Sequence, residues 1–145
     1  MAIPDFRDDN WLPDGHHPAT WDEIAERFGG EPGSPREYLT QNLLRFRDSL
    51  RSFGVSGTLI VDGSYVSAKP SPKDFDVLLI GQSDLPERKD RDPALSELLD
   101  AQKAENEGGF SLFFTTTDSP VLDMLRDMWS FSKEMVSKGV LEVEI

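Results

Sequence analysis

The feature that most constrains the fold is an apolar segment that begins with two closely spaced acids. Residues 74–80 read Asp-Phe-Asp-Val-Leu-Leu-Ile, and the part from Phe75 to Ile80 is apolar almost throughout. Consecutive apolar positions are typical of a strand that lies inside a sheet and is covered on both faces. The sequence therefore predicts a layered domain built around this strand, with Asp74 and Asp76 at its start.

Two helices are predicted before this strand from their capping signals. Thr20 with Glu23, and Ser34 with Glu37, each fit a capping box, in which side chains satisfy the free amides at a helix start. In the second helix, apolar residues recur at alternating steps of four and three as far as Phe53. That stripe predicts a long helix that packs on a sheet.

Two more helices are predicted after the strand. One follows a charged loop at residues 82–92 and begins at Asp92. The other begins near Asp118 and closes at Gly139, with Lys138 as a favourable cation at its C-terminus. Their inward-facing residues are Leu95, Leu98 and Leu99 in the first, and Leu122, Leu125, Trp129 and Val136 in the second.

Strands are predicted at residues 57–62, 74–80, 110–116 and 141–145. The last one alternates strictly between apolar and polar residues, which indicates a half-buried strand at an edge of the sheet. Residues 1–19, rich in Pro, Asp and Gly, are predicted to form an extended N-terminal arm, and residues 20–145 a single domain. We predict an α+β fold in which helices pack on a mixed sheet of about four strands.

The amino-acid composition excludes several kinds of functional site. The 145 residues include no cysteine and carry a net charge of −12. The lack of cysteine excludes disulfides, Cys-based zinc sites and thiol nucleophiles. So acidic a surface repels a phosphate backbone, which makes broad nucleic-acid binding unexpected, whereas a nucleotide accompanied by a divalent cation is compatible with it. With no secretory signal and no stretch long enough to span a bilayer, we expect a cytoplasmic protein.

A metal site is predicted where the acids meet a glycine-serine turn. Gly63-Ser64 is followed by nine residues and then by Asp74-Phe75-Asp76. Because Asp74 and Asp76 are two apart on a strand, their side chains point to the same face, and both are candidate magnesium ligands. Gly63 lacks a Cβ and Ser64 carries a hydroxyl, so the turn is a candidate site for the phosphates of a nucleotide.

This arrangement resembles a known family. A strand, Gly-Ser, a loop and Asp-x-Asp on the next strand is the pattern of the polymerase-beta-like nucleotidyltransferases, and here it falls in residues 60–64 and 74–78. Residues 12–16, 19–21 and 138–142 are similar to a group of small bacterial members. The resemblance implies a fold of that type, magnesium or manganese, ATP or another nucleoside triphosphate, and transfer of a nucleotidyl group. Several small relatives belong to toxin–antitoxin or phage-defence pairs.

The sequence departs from the family pattern at one position. The family usually supplies a third carboxylate from the following strand, whereas here Ser111 stands where an acid is expected. Glu107 and Asp118 flank that strand and are the acids nearest to it in sequence. Metal binding by two carboxylates alone would be weak, so this departure bears directly on whether the site is catalytic.

Other residues near the predicted site each have two interpretations. Lys69 and Lys73 are either contacts to phosphate or solvated loop lysines. His16 and His17 are either metal ligands or a general base, or else ordinary residues of the arm, and the resemblance favours His16 as a substrate-side residue. An aromatic and methionine cluster of the last helix is expected in the core rather than in a pocket: Trp129, Phe131 and Met135.

These residues leave three functions open. The first is a magnesium-dependent nucleotidyltransferase that moves a nucleotidyl group, AMP in the simplest case, onto a protein or RNA acceptor. The acidic charge favours a protein acceptor, and the small size predicts that a partner protein or a second copy completes the acceptor site. The second is a catalytically weakened relative, such as an antitoxin or immunity protein, that acts through a partner. The third is an acidic scaffold whose motifs are accidental.

Overall fold

The computed structural model describes residues 3–130 and 137–145. The strands are β1 (Gly15–Pro18), β2 (Gly57–Asp62), β3 (Phe75–Gly81), β4 (Phe110–Thr116) and β5 (Gly139–Glu144). The helices are α1 (Trp21–Phe28), α2 (Pro35–Ser52), α3 (Leu85–Arg91), α4 (Pro93–Leu98), α5 (Ala101–Lys103) and α6 (Leu122–Met128). A 3-10 turn at Ser64–Val66 follows β2, and a π turn at Ala104–Gly108 precedes β4.

The strands form one mixed sheet in the order β1-β5-β2-β3-β4. β5 is parallel to β1 and antiparallel to β2, whereas β3 is antiparallel to β2 and parallel to β4. The β2–β3 hairpin sets Asp62 opposite Asp76, and the β3–β4 pairing sets Asp76 opposite Ser111. The register therefore brings three polar residues side by side across neighbouring strands.

Alternate residues of the strands belong to two separate apolar cores. Leu59 and Val61 lie in the larger core and Ile60 in the smaller one. Since successive side chains of a strand point to opposite sides, the two cores lie on opposite faces of the sheet. We call the face with the larger core the main face and the other the second face.

The two faces differ in their helical cover. Helices α1, α2, α3 and α4 cover the main face with the buried residues Ile24, Phe28, Leu39, Leu43, Phe46, Leu50, Leu85, Leu95 and Leu99. On the second face, Leu122, Leu125 and Trp129 of the α6 region pack against a core of Ile60, Leu78, Ile80 and Val140. By strand alternation, Asp62 and Asp76 share the second face with Ile60 and Leu78.

Local side-chain hydrogen bonds fix the helix starts, largely as the sequence predicts. Thr20 and Glu23 form a complete capping box at α1, and Asp92 accepts from two amides of the first turn of α4. Ser34 accepts from the amide of Glu37 at α2, but the Glu37 carboxylate accepts from Gly33 and so does not complete the predicted box. These caps satisfy amides that the helices leave free.

The sheet has five strands and not about four, because residues 15–18 of the predicted arm form β1. This short strand pairs with β5, and His16 lies in register with Val140. β5 therefore lies between β1 and β2, and the prediction that residues 141–145 form an edge strand is wrong. Strict alternation indicates that one face of a strand is buried. The position of the strand in the sheet depends instead on partner strands that are distant in sequence.

Two other segments differ from prediction. The predicted loop at residues 82–92 contains α3, whose start is fixed by the buried side chain of Leu85. The predicted last helix is shorter than expected: α6 ends at Met128, and Lys138 directly precedes β5 instead of closing the helix. Phe131, Met135 and Val136 lie outside the described residues. Across residues 3–130 and 137–145, no helix is long and apolar enough to cross a membrane.

Candidate metal and nucleotide site

Two aspartates and a serine lie next to one another on the second face. Asp62 is the last residue of β2, Asp76 is the second residue of β3, and Ser111 is the second residue of β4. Residues directly opposite on neighbouring strands have Cβ atoms about 5 Å apart. Ser111 lies opposite Asp76 in the β3–β4 register and lowers the pKa of the Asp76 carboxyl, so a hydroxyl stands where the family pattern has an acid.

The turn after β2 brings the backbone up to the acids. Gly63 has φ of 94°, in the region that favours glycine, and its amide donates to Asp62 Oδ1 at 2.7 Å. A Cβ at Gly63 would lie 3.3 Å from Asp76 Oδ2. A side chain at Gly63 would crowd the Asp76 carboxylate, so the turn lies directly beside this acid.

A buried tyrosine anchors this turn in the main core. Tyr65 is fully buried, and its Oη lies 2.6 Å from Thr40 Oγ1 of α2. Its ring packs against Phe28 and Phe75, with centroids 5.7 Å away in each case. Burial raises the pKa of Tyr65, so the phenol stays neutral as a hydrogen-bonding anchor. Ser64 is consequently held at a fixed place at the end of β2.

Arg36 of α2 holds the loop that follows the turn. Its guanidinium donates to the carbonyl oxygens of Tyr65, Ser67 and Lys69 at 2.7, 2.8 and 3.2 Å. The planar guanidinium fork suits such simultaneous contacts better than an ammonium group does. The same group lies over the rings of Phe28 and Tyr65. Helix α2 thereby fixes the loop between β2 and β3 relative to the acids.

The electrostatics of the site centre on Asp76. Burial raises the pKa of the Asp76 carboxyl, and the neighbouring charges of Asp62 and Asp74 raise it further. The hydrogen bond from Ser111 and the charge of Lys138 act in the opposite direction. An acid whose pKa is raised by burial and like charges is stabilised in its ionised form when a cation binds next to it.

Lys138 is the cation that the structure itself supplies. Its residue is only 3% exposed, its ammonium contacts Asp62 Oδ1, and it lies 5.1 Å from the centroid of the Trp11 ring. Asp76 lies in register with Asp62 across the hairpin, and Asp74 is close enough to raise the pKa of Asp76, which Lys138 lowers. We call these four residues the acidic site.

The sequence-predicted residues take different places. Asp76 lies beside Gly63, while Asp74 precedes β3, is exposed, and is close enough to raise the pKa of Asp76. Ser64 is partly exposed in the turn, and Lys69 and Lys73 are exposed in the loop that follows.

The other sequence candidates have partners outside the acidic site. Glu107 lies 3.9 Å from Lys103, and Asp118 accepts from Thr116 at 2.6 Å. His16 lies between Glu142 and the carbonyl of Arg126, with 3.3 Å from Nδ1 to Glu142 Oε1 and 2.9 Å from Nε2 to the carbonyl oxygen. His17 Nε2 lies 2.5 Å from the carbonyl oxygen of Pro13.

Sequence reasoning missed Asp62, Lys138 and Arg36. Asp62 carried a usable signal, because it ends a predicted strand directly before Gly63 and a hairpin places it near Asp76. Lys138 and Arg36 carried none, since their contacts join segments that are 76 and about 30 residues apart. Within the described residues no group of three or more His, Asp or Glu side chains has the geometry of a complete metal site.

Surface clefts lie elsewhere. One cleft of about 390 Å³ opens between α2, α4 and the π turn, with Phe46, Phe53 and Phe110 in its lining. Another of about 450 Å³ is lined by residues around Trp21 and Glu144. Neither contains a residue of the acidic site. The acidic site is therefore defined by its charges and by the glycine turn beside it.

Comparisons with known proteins give a family and no activity. The model of DUF6932, described as a family of unknown function, matches residues 4–144. No curated protein and no solved structure matches the chain.

Proposed function

The chain belongs to the DUF6932 family of unknown function, and we propose that it is a magnesium-dependent nucleotidyltransferase that acts at the acidic site. The substrate would be a nucleoside triphosphate, ATP in the simplest case, and the acceptor a protein. The proposal rests on one observation. The Asp76 carboxyl, whose pKa is raised, lies beside Gly63, the residue of the turn that has no side chain.

The charges of the site support a divalent cation. Among the described residues, Lys138 pairs with Asp62, and neither Asp74 nor Asp76 forms an ion pair. Partly buried charges that lack a counterion are costly, and a divalent cation with oxygen ligands would balance them. Magnesium, or manganese with the same preference, would be held by Asp74 and Asp76, with Asp62 beside them.

The residues of this chain would perform the remaining tasks. A bound cation would balance the charge of the triphosphate and of the transition state for nucleotidyl transfer. The Gly63 amide already donates to Asp62, so the Ser64 hydroxyl is the group of the turn that would donate to a phosphate oxygen. Lys69 and Lys73, exposed on the loop that Arg36 holds, would add positive charge on the phosphate side.

A second candidate function is a catalytically weakened module, such as an antitoxin or immunity protein, that works by binding a partner. Two observations favour it. Ser111 occupies the place of an acid beside Asp76, and Lys138 already neutralises Asp62. Both reduce the capacity of the site for a second metal ion, which nucleotidyl transfer uses to activate the acceptor.

A label-transfer experiment separates the two candidates. The protein is incubated with ATP labelled at the α-phosphate, magnesium, and a panel of proteins that includes the chain itself. We expect label on a protein acceptor. The rate of transfer should fall at least 100-fold in Asp76→Asn, because the variant removes a ligand of the cation that stabilises the transition state (a loss of about 3 kcal/mol). Asp118→Asn is the matched control and should retain activity, since Asp118 is an exposed acid hydrogen-bonded to Thr116.

The outcomes are distinct. Transfer that survives Asp76→Asn would place the reaction elsewhere on the molecule. Magnesium-dependent ATP binding with no transfer to any acceptor would favour the binding module. The absence of both nucleotide binding and transfer would exclude the enzyme and would favour a module that acts through its partner alone.

A further inference from the structure

Helix α6 carries two apolar stripes, and only one of them packs on the sheet. Leu122, Leu125 and Trp129 face the small core of the second face. A second set with the same i, i+3, i+7 spacing comprises Val121, Met124 and Met128, which are 44%, 55% and 60% exposed. Residues at this spacing share one side of a helix, so the second set forms a solvent-facing apolar stripe.

Phe113 of β4 is a further exposed apolar side chain on the same face of the sheet. It is 57% exposed, and its ring meets the ring of Trp129 edge-on with centroids 5.7 Å apart. Trp129 belongs to the stripe that packs on the sheet, so Phe113 lies at the border between the sheet and the α6 region. We call Phe113, Val121, Met124 and Met128 the α6–β4 patch. It contains all but one of the exposed large apolar side chains among residues 3–130 and 137–145, the exception being Tyr38.

Exposed apolar side chains that gather in one place mark interaction sites more often than scattered ones do. Methionine is unbranched and polarizable, so a methionine stripe adapts to the apolar face of a partner helix.

Acidic residues border the patch. Asp118, Asp123 and Asp127 are all exposed along the start and one side of α6. Arg126, on the same helix, is directed to the sheet, where it pairs with Glu142. The whole chain carries a charge of −12. The surroundings of the patch therefore favour a partner that combines an apolar face with positive charge.

The same charge argues against the other occupants. A second copy of this chain would bring the same aspartates against each other. A nucleic acid or an anionic membrane would meet a repulsive surface. We infer that the α6–β4 patch is the docking surface for a basic, amphipathic helix of a partner protein. This inference does not depend on nucleotide chemistry at the acidic site.

The test uses two synthetic helical probes with one apolar face of leucines. One probe carries lysines on its polar face and the other glutamates. We expect the intact protein to bind the lysine probe in fluorescence anisotropy, at least about tenfold more tightly than the glutamate probe, because charge complementarity discriminates partners. Raising the salt from about 0.05 to about 0.5 M should weaken the binding, since exposed charges are screened.

Variants localise the contact. The double variant Met124→Ser, Met128→Ser should weaken binding at least about tenfold, because a few central side chains carry most of the binding energy of an interface. The matched control is Tyr38→Ser, which removes the exposed aromatic residue outside the patch and should leave binding unchanged. Both sites are exposed, so circular dichroism should show that the fold is retained in each variant.

Four results would overturn the inference. The first three are equal binding of the two probes, no binding of either, and binding that the methionine variant leaves unchanged. The fourth is a dimer that forms as the protein concentration rises in sedimentation, which would assign the patch to a second copy. Nucleotide transfer or its absence has no bearing on these outcomes, so failure here is distinguishable from failure of the proposed activity.

Discussion

The two faces of the sheet are built from the same strands and have different compositions. On β2, Leu59 faces the main core and Ile60 the second face, and both are fully buried. The main face is covered by residues of α1, α2, α3 and α4, which pack into one large apolar core. The second face has one described helix over a core of four residues and carries the acidic site. Stability is therefore concentrated on one side, which leaves the other free to hold charges that cost stability.

Leu59→Ala and Ile60→Ala test this difference most strongly. We expect Leu59→Ala to lower the free energy of unfolding by about 4 kcal/mol, because the densely covered main core cannot collapse around the cavity. Ile60→Ala should cost about 2 kcal/mol, because fewer neighbours surround it and the site relaxes more easily. Urea denaturation followed by circular dichroism measures both, and equal losses would contradict the division into a major and a minor core.

Lys138→Met tests the internal cation of the second face. Removing one partner of a buried ion pair typically costs about 3–5 kcal/mol, because the other charge is left uncompensated, and we expect about 3 kcal/mol here. The double variant Lys138→Met, Asp62→Asn should recover most of that loss. Denaturant titration of the two variants checks the prediction. Absence of recovery would mean that packing of the lysine stem, and not its charge, stabilises this region.

Arg36→Lys tests how helix α2, on the main face, positions the loop between β2 and β3 beside the acidic site. A lysine keeps the charge but cannot donate to three carbonyl oxygens in the same plane, so we expect a loss of about 1–2 kcal/mol. The local effect should be larger than the global one, with faster hydrogen exchange of amides at residues 65–69. Exchange rates that match the wild type would show that the buried Tyr65 alone holds the loop.

Asp76→Asn has the smallest predicted effect on stability, and the size of this effect depends on pH. The folded pKa of Asp76 is raised, so ionisation favours unfolding, and stability falls as pH rises from the ordinary aspartate pKa through the folded one. With chelator present at neutral pH, the variant should be more stable by up to about 1 kcal/mol, since the group is partly exposed.

This advantage should vanish at low pH, where the wild-type carboxyl is protonated. Thermal denaturation across pH 3–8 with EDTA measures it. A wild type more stable than Asp76→Asn at neutral pH without divalent cations would show that Asp76 is already satisfied by Lys138 and Ser111.

The local features of the fold could be predicted from the sequence. Helix starts at Thr20, Ser34 and Asp92 depend on side chains that bond to nearby amides, and the apolar stripe of α2 depends on spacing alone. The strand predicted at residues 74–80 was visible for the same reason, although the structure places it at Phe75–Gly81 and so leaves Asp74 before it. Each of these features is decided by residues within a few positions of one another.

The remaining features depend on contacts between distant segments. The four residues of β1 are too few to show a strand period, and they form a strand because β5 pairs with them. That pairing places β5 inside the sheet and brings Lys138 to Asp62, across 76 residues. The acidic site was therefore half predictable. Asp74 and Asp76 form a local motif, as does the neighbouring Gly63, whereas strand register sets the places of Asp62, Lys138 and the adjacent Ser111.

Calorimetric titration of ATP into the protein tests most directly whether the second face holds a cation and a nucleotide. In magnesium we expect saturable binding that disappears in EDTA and weakens at least about tenfold in Asp76→Asn, with Asp118→Asn as the unchanged control. Heats that are the same with and without magnesium, or undiminished in Asp76→Asn, would contradict a metal-dependent nucleotide site at Asp76.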